Sequence, residues 1–166
     1  MLIARTVKVV MVAALAAFAC LVAVDNVTDY GANYQFVRHV LSMDTTFGDP
    51  AITWRAIHDP LLWQAGYAMI IAGEALTGLA FAVAAIAMIR RLRADAASFQ
   101  AATRFVHLGA GLGFLVWFFG FMVVGGEWFA MWQSPQWNGQ QPAFRFYMTM
   151  LAVLIYVGQR EPDPPR

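Results

Sequence analysis

Four long apolar runs, separated by charged segments, constrain this chain more than anything else in it. Ile3 to Val24 is interrupted only by Arg5, Thr6 and Lys8, and Leu61 to Ile89 carries one charge, Glu74. Phe105 to Gly126 carries none, and Ala143 to Gly158 carries Arg145 near its start. A helix needs about 20 mainly apolar residues to cross a bilayer. Lipid offers no water to backbone polar groups, so helices or closed barrels alone can span it. The first three runs qualify on length. The fourth, about 16 residues or roughly 24 Å at 1.5 Å each, must thin the bilayer locally or snorkel Arg145. The expected fold is an all-α membrane protein, a four-transmembrane-helix bundle in one domain. Its spans are residues 3–24, 61–89, 105–128 and 143–159, with a long, partly helical outer loop at 25–60. Composition agrees: 60% hydrophobic and 13% charged residues are far from the balance of a soluble domain.

The first run also resembles a signal peptide, with Ala17-Phe18-Ala19 ahead of Cys20. The apolar run continues through Leu21, Val22, Ala23 and Val24, so it reads as an uncleaved first span. Ala13, Ala16, Ala17, Cys20 and Val24 share one face at helical spacing, a smooth surface for a neighbour. Arg5 and Lys8 precede this span. Arg90, Arg91, Arg93 and Arg104 flank the loop between the second and third, and Arg160 and Arg166 follow the fourth. Positive charge collects on the cytoplasmic side of a membrane protein, which places both termini there and leaves Arg38, Arg55 and Arg145 outside. Net charge of +1 without a basic patch gives no reason to expect nucleic acid. The single cysteine excludes an internal disulfide framework.

The third run leaves the bilayer through an aromatic crown, Trp128 to Trp137. Along an α-helix Gly113, Trp117, Gly120, Val124 and Glu127 share one face, which Gly109 extends. Small residues let helices approach closely in lipid, so this helix is expected at the centre of the bundle. Trp128, Phe129, Trp132 and Trp137 give the crown the composition of a protein interface, although tryptophan also favours the membrane surface. In the outer loop, Tyr34, Val37, Val40 and Leu41, widened by Phe36 and Met43, mark a short amphipathic helix. Ile52 to Ile57 marks a second. Asp59-Pro60 reads as a helix start, with Asp as N-cap and Pro in the first turn. The tail EPDPPR cannot continue a helix.

Glu74 is the sharpest chemical feature. Counted along its helix it lies about 21 Å below Pro60, near the bilayer midplane, where an ionised carboxylate is costly and faces the bundle. Thr77, Gly78 and Phe81 share its face. By depth, Tyr156, Trp117 or a backbone carbonyl are its expected partners. Arg145, Thr149, Ala152, Tyr156 and Gln159 form a polar seam on the fourth span, which lipid would penalise, so it faces the bundle or another subunit. Glu127 and Arg145 are placed to pair at the outer end, with Asp25 and Asp29 as competing acids. His107 lies opposite in depth to His39 and His58, which argues against a bis-His haem. His39 and His58 with Asp44, Asp49 or Asp59 lack tight ligand spacing, so no metal and no cofactor is expected. Asn26-Val27-Thr28 matches a glycosylation acceptor.

At DNVTDYGANYQFVRHVLSMDTTF and GGEWFAMWQSPQWNGQQPAFRFYMT the chain resembles a bacterial family of predicted small integral membrane proteins, defined only as a domain of unknown function. The likeness runs from about Val9 to Gln159. It implies four spans in the inner membrane of a Gram-negative bacterium, and brings no activity or catalytic residue. Two function classes fit the residues. One is a non-catalytic accessory or scaffolding subunit of a membrane complex; for the chain as such, the expected partners besides the bilayer are other membrane-protein subunits or copies of itself. The alternative is a small transporter, channel or proton-linked protein centred on Glu74. No hydrolase, phosphate-loop or zinc-helix motif is present.

Overall fold

The computed structural model describes residues 1–159, so Arg160, Arg166 and the expected break in the tail lie outside the described residues. Those described residues are helices and their connections, with no strand among them. Helix α1 covers Leu2–Thr28, α2 Tyr30–Ser42, α3 Pro50–Thr53 and α4 Pro60–Arg90. Helix α5 covers Ala96–Ala102 and α6 Arg104–Gly113, which runs on as a π-helical segment, Phe114–Trp128. A 3₁₀ turn at Met131–Gln133 leads to α7, Gln140–Gly158.

Helix starts follow the cap chemistry. The side chains of Asp49, Asp59 and Asp95 accept hydrogen bonds from the backbone N–H groups of Ala51, Leu61 and Ser98, at 2.9, 2.8 and 2.9 Å. Each satisfies a donor that the first turn cannot use. The segment at 25–60 is more helical than a loop: α1 continues past Asp25 and Asn26, and α2 begins two residues after it ends. The short helix expected at Ile52 to Ile57 is instead the turn α3, which ends at Thr53.

Helix α4 packs more extensively than any other helix, and the third apolar run stands between α4 and α7. Helix α4 packs along α1 on one side and α6 on the other, and also touches α2. Glu74, Thr77, Gly78 and Phe81 all lie on its buried side, as their spacing predicts. A Cβ at Gly78 would fall 2.9 Å from the backbone nitrogen of Cys20, so only glycine permits this approach of α1. On α1 the packing face is Val12, Ala16, Ala19 and Ala23, rotated from the expected alanine stripe, with Ala13, Ala17 and Val24 left exposed. The main core unites Val12, Ala16 and Ala19 with Phe81, Met88, Val106, Trp117, Met150 and Val157.

The π-helical segment explains a second correction. A backbone bonded i to i+5 winds more than four residues per turn, so faces read at α-helical spacing drift apart. The inward residues are Gly113, Trp117, Gly125 and Gly126, with Phe121 half-buried between them. Glu127 is carried to the outside.

Above this core a smaller cluster of Val40, Met43, Phe129, Ala130 and Met131 joins α2 to the aromatic crown. Polar ties hold the same layer: Thr45 Oγ1 donates to Ser134 Oγ at 2.9 Å, and the Phe47 N–H to Gln133 Oε1 at 3.0 Å. The Arg55 guanidinium stacks over Trp128 and donates to its carbonyl at 3.3 Å.

Candidate functional site: a cleft floored by Glu74

The close approach at Gly78 sets Asn26, in the last turn of α1, beside Glu74 at the midpoint of α4. Asn26 Nδ2 donates to Glu74 Oε2 at 2.7 Å. Tyr67, two turns earlier on α4, donates its hydroxyl to the Asn26 carbonyl at 2.7 Å and to Asn26 Oδ1 at 3.2 Å. Asn26 thus bridges the two α4 side chains. Glu74 is 2% exposed and Tyr67 1%. Tyr30 and Tyr34 of α2 pack their rings against Tyr67, with centroids 4.8 and 6.3 Å away. A cleft of about 280 Å³ opens beside this cluster, between α1, α2, α4, the π-helical segment and α7. Trp117, Phe121 and Phe146 supply aromatic lining, and the exposed Asp25 and Pro142 stand at its edge. Among the described residues, no lysine, arginine or histidine lines it. Glu74 Oε1 accepts no hydrogen bond from the described residues, and the Trp117 indole N–H has no acceptor among them.

Of the polar residues expected around Glu74, only Trp117 lines the cleft with it. Thr77 shares the buried face but donates to its own helix, at Gly73 O, 2.7 Å. Thr149 and Tyr156 do not come near. The buried face of α7 is Ala143, Tyr147, Met150, Val153 and Val157, which turns the polar seam away from the bundle. Thr149 donates to Arg145 O at 2.7 Å, and Tyr156 sits at the far end, its ring 6.0 Å from Lys8 Nζ. Glu127 and Arg145 are both exposed and form no ion pair with each other among the described residues, because the π-helical winding turns Glu127 outward. The glycosylation reading of Asn26 conflicts with its side chain's engagement by Glu74 and Tyr67.

The crown divides. Phe129 is 4% exposed and belongs to the small outer core, so it presents no surface to a partner. Trp137 is half-buried and stacks on His39, centroids 4.7 Å apart, while His39 Nδ1 lies 2.9 Å from Asp44. Trp128 and Trp132 remain about half exposed, at 48% and 52%. Trp54 stands edge-on to Trp128 and Phe47 to Trp132.

Sequence reasoning missed two things. The end of the first apolar run at Val24 places Asn26 in the loop; yet Ala16, Ala19, Ala23 and Asn26 continue one helical face of α1. Arg5 and Lys8 read only as topology signals, although both are buried, at 4% and 5% exposed. Arg5 donates to Leu92 O and Ala94 O, at 3.0 and 2.6 Å, and its guanidinium lies over Phe99. Lys8 donates to Val157 O and Gln159 O, at 3.1 and 2.6 Å. Cations there meet the carbonyl-rich, negative ends of α4 and α7. They join the first helix, the connection after α4 and the last helix at one end of the molecule. At that end Asp95 caps α5, and hydrogen bonds from the Ser98 hydroxyl and N–H hold its carboxyl below the usual carboxylate range.

Among the described residues, three helical stretches are long and apolar enough to cross a membrane: Leu2–Thr28, Pro60–Arg90 and Ala96–Trp128. Their outward faces are apolar, as with Leu76, Leu79, Val83, Ile86 and Ile89 on α4. Residues 4–160 match the family model described as predicted small integral membrane protein (DUF2165). The chain belongs to this family. No curated protein and no solved structure matches it. Membership and apolar helices agree on an integral membrane protein with several membrane-spanning segments.

Proposed function

We propose that this family member is a non-catalytic accessory subunit that docks in the membrane through α7. One observation carries the reading: the face bearing Arg145 and Thr149 is exposed. Arg145 makes no ion pair among the described residues, and no side-chain hydrogen bond is found for it there. A polar face turned to lipid is costly, and a neighbouring subunit relieves it. The half-exposed Trp128 and Trp132 would widen the same outer contact.

This reading includes four crossings. Helix α7 has 19 residues, about 28 Å of helix, and runs from the crown back to Lys8. Its end meets the start of α1, which supports an even number of passes. The arginines and lysine gathered at that end support a cytoplasmic side in a bacterial inner membrane. From Lys8 to Asn26 the helix rises about 27 Å, close to a hydrocarbon thickness of about 30 Å. With Lys8 at the inner boundary, Glu74 lies near the outer boundary rather than at the midplane.

The test is purification in mild detergent with identification of co-purifying proteins, for the wild type and for Arg145→Leu with Thr149→Leu. A stoichiometric partner lost in the double variant supports docking through α7; a partner retained at full strength removes α7 from the interface. A second reading, transport centred on Glu74, draws on the cleft. Flux into liposomes that is abolished by Glu74→Gln would support it, and unchanged flux would exclude Glu74 as the carrier.

A further inference from the structure

The Glu74 cleft has a chemistry that the docking reading does not use. Its charged lining is acidic, Glu74 at the floor and the exposed Asp25 at the edge, and no basic side chain among the described residues lines it to balance them. Asn26 fixes one Glu74 oxygen, while Oε1 is left without a donor among the described residues. The remaining walls are largely aromatic and aliphatic, with Trp117, Phe121 and Phe146 prominent. A buried carboxylate needs a compensating cation or donor. A metal ion is a poor match, because no group of three or more His, Cys, Asp or Glu residues that could hold one occurs among the described residues. Hard cations take six or more oxygen ligands, or keep their waters. An ammonium suits the site better: its N–H groups can meet Oε1, and its carbon body and charge suit aromatic rings. The volume, about 280 Å³, suits a small ligand group.

We propose that the cleft between α1, α4 and α7 binds a small organic ammonium group, held by Glu74 with Asp25 at the entrance. The group is either a free amine or the headgroup of an aminophospholipid, since both present the same ammonium. The site stands apart from docking through α7: losing a partner there leaves ammonium binding intact.

The test uses the full chain in nanodiscs of phosphatidylglycerol, titrated calorimetrically with ethanolamine and with its neutral analogue, ethylene glycol. Ethanolamine is expected to bind at least tenfold tighter than ethylene glycol. Glu74→Gln should weaken ethanolamine at least tenfold, and Asp25→Asn, an exposed change that leaves the helix cluster intact, severalfold. Nanodiscs containing phosphatidylethanolamine separate the sources. A competitive loss of ethanolamine affinity there assigns the site to the lipid headgroup, and unchanged affinity assigns it to a free amine. Equal binding of ethanolamine and ethylene glycol overturns the proposal, as does ethanolamine affinity that neither variant changes.

Discussion

Asn26 does for Glu74 what no charged residue does. Its side-chain amide donates to the carboxylate while its backbone and side-chain oxygens accept from Tyr67, so one residue satisfies groups two turns apart on α4. Removing a partner from a buried polar group costs more than the bond itself contributes, about 1–3 kcal/mol. Asn26→Ala should therefore lower stability by roughly 1–3 kcal/mol, read as a lower thermal midpoint in detergent. The loss should shrink when Glu74 is already leucine, because the pair is then gone from the start. Equal losses in both backgrounds would mean that the bond contributes nothing. Glu74 and its bundle-facing orientation were legible in the sequence, since one carboxylate in an apolar run has few places to go. Its partner was not. Depth counting favoured Tyr156, but depth says nothing about which face of α7 turns inward, and Tyr147, Met150 and Val153 take that face.

At the scale of the element, the α1–α4 contact rests on glycine. Gly78→Val should destabilise by about 1–3 kcal/mol, since the added atoms must displace the backbone at Cys20. Gly111 on α6 has no atom within 4 Å of where a Cβ would stand. Gly111→Ala should then be neutral or stabilise by about 0.5–1 kcal/mol through helix propensity alone. Paired melting curves of the two variants check both. Helix α5 offers a pH test. The Asp95 carboxyl is held below its ordinary range by Ser98, so its cap favours folding above the ordinary carboxylate value and is lost as pH falls through the lowered one. Amide exchange across Ala96–Ala102 should accelerate in acid relative to a distant helix, and Asp95→Asn should remove that dependence while keeping the cap. The helices themselves were plain in the apolar runs, and the Asp-Pro start of α4 in its cap. The π-helical winding of Phe114–Trp128 was not, because nothing in residue types separates i to i+4 from i to i+5 bonding. That winding undid the expected Glu127–Arg145 pair.

For the whole molecule, the bundle closes at one end with buried cations and at the other with aromatic rings. Arg5 and Lys8 meet the carbonyl ends beside α4 and α7, whereas α2, the crown and Arg55 form the layer at the opposite end. The integral membrane class could be read from composition and run length, because lipid restricts the chain so strongly. Which helix packs most extensively could not: glycine spacing pointed to the third run, whose Gly109 and Gly113 do press against Phe81 and Met150, while Gly78 on α4 sets the approach of α1. Arg145 and Thr149, placed by spacing in one seam, do share a face, but it is turned outward and so asks for a neighbour. The most direct measurement is native mass spectrometry of the chain extracted in mild detergent with whatever accompanies it. The expected result is a stoichiometric, salt-resistant second protein that disappears with Arg145→Leu and Thr149→Leu. A chain found only alone, or only with copies of itself, would contradict the accessory role and turn attention to Glu74-dependent flux.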